Sequence, residues 1–449
     1  MKLLFTGAEM FIFILRSIYY LFPRFIRHQY VDSIIFYRHV FFKVISFFKS
    51  KEAEPKDNKP EDNCLDVRLV EDLELLGGDC EIIRHVSERY ASVQGPLLYV
   101  DNQECKRSPL EGRLPDTKVV RLSGVQVIGS TDAVIFGENM YHHELSLMEN
   151  IHDLKRPDIF LKYGEKEYFD FHISFLREQL TLDGLVLSLL KEHSTNYYHW
   201  VTEVIPKLVN MMEYIESNDE KVTILVEEGT PPQSLSLVEL LLSELKNTEY
   251  HICHVKKGQL VYCESLIYCT PLWTSLDNTR SLPNPQKEFF VSPDCLSKVK
   301  SMLSKYTQSK NYILENKKIY LQRENTKLRK LSNVLDLERL LYKKGFDFVD
   351  PGSLDFFEQY NLFSQAEIIV GASGAAFTNL LFMKSDSTAI SLYPSAQSTN
   401  YYVFQPLADV SNVNLIHFLT TPDDNSNSVH GDAKVNVIEL EKLLEKLDD

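Results

Sequence analysis

The chain has 449 residues, 44% hydrophobic and 25% charged, an ordinary globular composition at a length that exceeds a single core. Its formal net charge of −15 excludes a general polynucleotide binder, because a phosphate backbone demands a basic footprint. The seven cysteines are scattered, with no CxxC pair and no histidine-rich cluster, a pattern that excludes a disulfide framework and suits reduced thiols.

Residues 1–51 are apolar, aromatic and basic at once, with Lys2, Arg16, Arg24, Arg27, Arg38, Lys43, Lys49 and Lys51 set against Glu9 and Asp32. Glu9 and Arg16 interrupt the apolar stretch 3–22, and each costs about 2.5–3.5 kcal/mol at a bilayer centre. A helix lying on an anionic membrane surface therefore fits better than a spanning one. A helix pair packed on the protein's own core is the plainer alternative. Residues 52–63, EAEPKDNKPEDN, read as a polar linker unable to bury itself.

Residues 64–117 mix short apolar runs with turns and carry no legible chemistry. From Lys118 the runs VVRLSGVQVIG and AVIFG predict short strands. His142 and His143 follow; adjacent side chains point apart, so no shared metal site is expected. A buried strand at 184–190 then leads to NYYHWVTEVIPKL, residues 196–208. On a helix, His199 and Glu203 stand at i and i+4 on one face, with Asn196 and Tyr197 at its start. Such a pair can hold a proton acceptor ready for an incoming hydroxyl. The other reading is a capped helix whose His199 and Trp200 fill the core.

A strand at 222–226, a helix at 235–245 and a strand at 266–269 continue an alternating α/β pattern up to a linker at 274–293. Beyond it the expected order is a helix at 293–306, a strand at 318–321, a helix at 334–343, a strand at 346–349, a helix at 356–363 and a strand at 366–370. That last strand runs into GASGAAFTN, residues 371–379, a small-residue turn with a helix opening on it. Gly371, Ser373 and Gly374 put little bulk between amide donors and a ligand, which suits a phosphate. Arg323, Arg329 and Lys330 leave the carboxyl end of another strand of the same sheet, so cations and amides converge on a diphosphate-sized site. No Asp-x-Asp between strands suggests a divalent metal there.

Three stretches, NYYHWVTEVIPKL, KIYLQRENTKLRKLSN and SLDFFEQYNLFSQAEIIVGASGAAFTNLLFM, resemble glycosyltransferase family 61 over roughly residues 120–395. The resemblance implies the GT-B arrangement of two facing Rossmann-like domains. It further implies a nucleotide-sugar donor held by the C-terminal one, and transfer with inversion without an obligatory metal or cofactor. Residue by residue it puts Arg323, Arg329, Glu358, Gly371, Gly374 and Asn379 on donor motifs. Asn196, His199, Trp200 and Glu203 fall on the opposite wall. Two departures stand out: members often carry histidine where this chain has Ser373, and Pro-Arg where it has Pro206-Lys207.

The expected domains are the membrane-associating segment 1–51, the linker 52–63, an α/β acceptor-side domain 64–290 and a nucleotide-sugar domain 291–449. The expected function is transfer to a polysaccharide or lipid-linked glycan by an enzyme peripheral to the cytoplasmic face of a membrane. A type II Golgi or ER location is the alternative. A nucleotide-binding pseudo-transferase acting as a scaffold is the rival class.

Overall fold

The computed structural model describes residues 63–87, 89–147, 161–163, 170–217, 220–245, 248–274, 291–305, 317–323, 330–395, 399–423 and 431–448. The segment 1–51, nearly all of the linker 52–63, and Arg329 lie outside the described residues.

The chain opens on strands β1 (Asn63–Val70), β2 (Cys80–Val86), β3 (Arg89–Val93), β4 (Leu97–Val100), β5 (Gln103–Lys106) and β6 (Leu110–Leu114). The long β7 (Thr117–Ile128), the hairpin β8 (Val134–Phe136) and β9 (Asn139–Tyr141), and helix α1 (His143–Leu147) follow. Then come β10 (Leu161–Tyr163), β11 (Asp170–Phe175) and β12 (Leu180–Ser188). Residues 185–188 of β12 are all buried, as a strand covered on both faces must be. Its register slips between Leu182 and Leu185, and Gly184, at φ +74°, supplies the left-handed residue at that slip.

After β12 one continuous helix, α2, starts at Tyr197–His199, passes through a π turn at Trp200–Val204 and continues as Ile205–Ser217. Strand β13 (Val222–Glu227), helix α3 (Pro232–Leu242), β14 (Tyr250–Val255) and β15 (Leu260–Cys269) complete the first half. Among the described residues the first sheet has eleven strands, and its β14-β13-β12-β15 portion is parallel. That order is the 3-2-1-4 of a dinucleotide-binding sheet, with its switch point between the carboxyl ends of β12 and β15.

The second half contains α4 (Pro293–Ser304), β16 (Lys318–Leu321), α5 (Val334–Lys343), β17 (Asp347–Val349), α6 (Phe356–Gln365) and β18 (Ile368–Ala372). A 3-10 helix (Ala375–Phe382), β19 (Thr388–Pro394), α7 (Gln405–Ser411), β20 (Asn414–Pro422), β21 (Ala433–Lys434) and α8 (Val437–Asp448) close it. The parallel order β17-β16-β18-β19-β20 is 2-1-3-4-5, the other common doubly wound order, with its switch point between β16 and β18. Leu337, Leu340 and Leu341 of α5 and Leu440, Leu443 and Leu444 of α8 cover one face. Phe356, Leu362 and Phe363 of α6 and Leu407 of α7 belong to the cluster on the other.

The fold is α/β, as expected. The expected first domain, 64–290, does not keep all its strands: β4 pairs parallel to β20, and β5 extends the second sheet beyond it. One hydrophobic cluster runs from Leu187 and Trp200 of the first half to Leu321 and Phe377 of the second, so the halves share a core.

Residue pairing across the second sheet aligns Leu321, Gly371, Ser391 and His417 in one row. His417 is fully buried, and its ring nitrogens find no hydrogen bond of good geometry among the described residues. Burial pulls its pKa down to about 4, offset in part by a backbone contact from Tyr401. A neutral imidazole in the native state and an ordinary one near 6.5 in the unfolded chain mean that its contribution is present above pH 6.5. It is lost as pH falls towards 4. Urea unfolding over this range is expected to show that His417→Phe recovers about 3 kcal/mol of the acid-side loss.

Candidate active site

The first switch point is built from the loop after β12. Lys191 and Glu192 are buried there, and His193 adopts φ 60° before the chain turns into α2. Asn196 caps α2 by accepting from the amide of Tyr198, which fixes where His199 emerges. His199 Nδ1 lies 3.0 Å from Glu203 Oε1, while Glu203 Oε2 lies 2.6 Å from Lys191 Nζ. The side chain of His199 keeps 16% exposure against 2% for Glu203, so of the pair only the imidazole can meet an acceptor. The π turn, with the Ile205 amide bonded to the Trp200 carbonyl, buries every residue from Trp200 to Val204. Such turns occur often at functional sites.

Trp200 is fully buried, and its indole N–H donates to the carbonyl of Ser234 at 3.0 Å. It is a core residue, which corrects its assignment to the substrate wall: an indole with no exposed surface contacts no substrate. Burial likewise corrects Glu203 as a direct base: its side chain is 2% exposed and one of its oxygens faces His199.

Behind this pair lies a knot of buried charge that sequence reasoning missed. His142 Nε2 is 2.8 Å from Glu192 Oε1 and 3.5 Å from Asp132 Oδ1. Burial works against the charged ring, yet the two carboxylates outweigh it and raise the pKa of His142 to about 9. The Leu145 amide donates to Nδ1 at 3.4 Å. Asp132 shows the reverse competition: burial raises its pKa, but His142 and Lys207 prevail and lower it. Lys207 is depressed by burial and sits over the rings of Tyr268 at 4.9 Å and Trp273 at 5.3 Å.

Asp132, His142 and Glu192 bring ligand-type atoms within 4.8 Å of one another. As the structure stands, the imidazole is paired with both carboxylates, an ion-paired knot whose members are also metal-ligand types. His143 points the other way, to the carbonyl of Trp273 at 3.0 Å, in keeping with the expected divergence of the two neighbours. The signal available in the sequence was the polar Lys191-Glu192-His193 directly after an apolar strand.

The second switch point is where β16 and β18 end. Arg323, exposed, donates from Nη1 to the carbonyl of Ser373 at 3.1 Å. Gly371 faces Leu321 so closely that a Cβ would stand 2.8 Å from the Leu321 Cβ. At Gly374 a Cβ would come within 3.1 Å of the Arg323 guanidinium carbon. The backbone there is extended at φ 170°, so space beneath the guanidinium, not a special dihedral, is what glycine provides. The turn opens a 3-10 helix, where the sequence suggested an ordinary one. Ser373 is fully buried, and it is its carbonyl that meets Arg323.

Asn379 is likewise buried: its Nδ2 donates to Gln359 Oε1 at 2.9 Å, and its Oδ1 accepts from the Tyr197 hydroxyl at 2.8 Å. Tyr197 and Asn379 thus form a strut that brings the two switch points together, aided by the Tyr198 hydroxyl donating to the Val403 carbonyl at 3.1 Å. Asn379 is fully buried, which turns its amide to this strut and away from a donor, and Tyr197 holds the strut through its phenol. Glu358 closes a capping box with Asp355 at the start of α6, so its carboxylate is engaged with a helix end, not with a ligand. Lys330 is exposed and tied through its amide to Asp432, near β21. It stands on the β20 side, with β18 and β19 between it and β16.

A cavity of about 510 Å³ lined by Asp79, Glu81, Arg121, Gly184, Glu220 and Glu264, among others, lies elsewhere. Glu220 precedes β13, which puts it at the amino ends of the parallel strands, away from both switch points.

Comparison with curated proteins finds no match to the chain. Residues 197–390 match the family model described as Glycosyltransferase 61, a stretch that starts on the first turn of α2 and ends in β19. The matched stretch contains His199, Glu203, Arg323 and the 371–379 turn together, and the chain accordingly carries a glycosyltransferase family 61 domain.

Proposed function

We propose that the protein is an inverting glycosyltransferase of GT-B arrangement that takes its sugar from a nucleotide-sugar. The observation that carries this is the pairing of Arg323 with the Ser373 carbonyl over the space that Gly374 leaves at one switch point, while His199, backed by Glu203, stands at the other. A nucleoside diphosphate placed against the turn meets backbone amides and a forked guanidinium, the donors a departing diphosphate requires. In the transfer, an acceptor hydroxyl gives its proton to His199 Nε2 as its oxygen forms a bond to the anomeric carbon. The bond from that carbon to the diphosphate oxygen breaks on the opposite side, and the electron pair leaves with the nucleoside diphosphate. Glu203 accepts from Nδ1–H and keeps Nε2 directed at the acceptor. Arg323 and the turn supply the countercharge, so the reading needs no metal.

The acceptor we favour is a polysaccharide or lipid-linked glycan at the cytoplasmic face of a membrane, with residues 1–51 resting on anionic lipid; a type II Golgi or ER placement is the alternative. No helix among the described residues is long and apolar enough to cross a membrane. The rival, a scaffold that binds nucleotide without turnover, draws support from Ser373, whose buried side chain brings no group to the site.

The test is a thermal-shift panel of uridine, guanosine and cytidine diphosphates and their sugars, joined to an assay of nucleoside diphosphate release. A native-state ligand raises apparent stability by mass action. Arg323→Ala is expected to weaken binding about 30–100-fold, the worth of a charge-assisted hydrogen bond. Gly374→Ala displaces the guanidinium and weakens it less, with the fold unchanged. Binding without release points to the scaffold; no shift with any nucleotide overturns the proposal.

A further inference from the structure

We infer that Lys191 is a positioning residue for this reaction: by holding one oxygen of Glu203 it leaves the other to orient His199 without drawing a proton onto the imidazole. The inference rests on the reading of His199 as the base. Lys191 comes from the loop after β12, not from α2, yet its Nζ lies 2.6 Å from Glu203 Oε2 and its side chain is only 5% exposed. Its remaining contacts fix it in place, through the Glu192 carbonyl at 3.3 Å and the Trp273 ring at 5.1 Å.

A buried carboxylate needs a countercharge. With Lys191 present, Glu203 has one already, and its bond to His199 Nδ1 at 3.0 Å can remain a hydrogen bond to a neutral ring. Without Lys191, the imidazole 3.0 Å away gains from taking a proton and serving as that countercharge. A protonated His199 holds its Nε2 proton and cannot accept another from an acceptor hydroxyl. Among the described residues, the titratable and charged groups packed around this pair include His193, whose ring centroid is 5.5 Å from that of His199, and Tyr198 at 5.4 Å. Further back lie Glu192, Asp132, His142 and Lys207.

The experiment follows the His199 imidazole by NMR in the full chain labelled at histidine, assigned by the resonance lost in His199→Gln, across a pH series. Because Glu203 and His199 titrate as a pair, the shared proton is the quantity read. Lys191→Met is expected to raise the midpoint by about one pH unit or more, and Glu203→Gln to lower it. Lys191→Arg is expected to stay near the wild type. A folded Lys191→Met whose midpoint moves by less than about 0.3 unit overturns the inference.

Should Lys191→Met fail to fold, Lys191→Met/Glu203→Gln strands no carboxylate. Its midpoint must then exceed that of Glu203→Gln, and equality overturns the inference. The acidic limb of kcat/KM is expected to move with the midpoint, whereas a merely structural role lowers kcat evenly at every pH. A midpoint that moves in a protein with no turnover leaves the charge arrangement standing and sinks the base assignment instead.

Discussion

Replacing His199 with alanine is expected to lower sugar transfer by about 10²–10⁴-fold, the range for losing a positioned general base. The loss should fall on kcat with little change in donor affinity, because the donor is assigned to the other switch point. Stability should fall by only about 1–2 kcal/mol, since the hydrogen bond to Glu203 and the ring contacts with His193 and Tyr198 go while Glu203 keeps Lys191 as a partner. Nucleoside diphosphate release and urea unfolding measured on the same preparation check both halves. Transfer at the wild-type rate would remove His199 from the mechanism, and a collapse of stability would make it structural.

Trp200→Ala should behave in the opposite way. The indole is fully buried and packs in the cluster that joins both sheets, so truncation is expected to cost about 3–5 kcal/mol. It also leaves the Ser234 carbonyl, which accepts from the indole N–H, without that donor. Urea unfolding should show the full loss, while KM for the acceptor, measured on whatever protein remains folded, should barely change. A substrate-wall tryptophan would give the reverse, a large rise in KM on an intact fold. Two neighbours in one motif are thus separated by what each touches.

The parts of this molecule that were legible in the sequence are those written in local patterns. Apolar runs closed by turns located β16 and α5 to the residue, and the i, i+4 spacing put His199 beside Glu203. The small residues of 371–374 marked a close backbone approach, and the structure supplies its cause in Leu321 and Arg323. What sequence could not show is which way a side chain turns once several elements pack around it. Trp200 and Glu203 share a motif with His199, yet the π turn sends them inward. The family resemblance puts Glu358 on a donor motif, but a helix end claims its carboxylate.

Lys191, Asp132 and His142 are far apart along the chain and meet only because β12, β15 and the hairpin after β7 converge. No local pattern records that. Strand order was equally hidden, and it is strand order that explains why both candidate half-sites fall where they do.

The pairing of β4 with β20 bears on how the protein can be dissected. A fragment cut at residue 290, where the sequence alone invites the knife, would strip β4 and β5 from the second sheet and leave β20 with a bare row of amides and carbonyls. Such an edge recruits other strands, including those of its own copies. The second half of this chain is not a module that can be lifted out at its amino-terminal boundary; the edge of its sheet at β20 is sealed by β4 and β5, residues 97–106, which the chain lays down before the parallel strands of the first sheet.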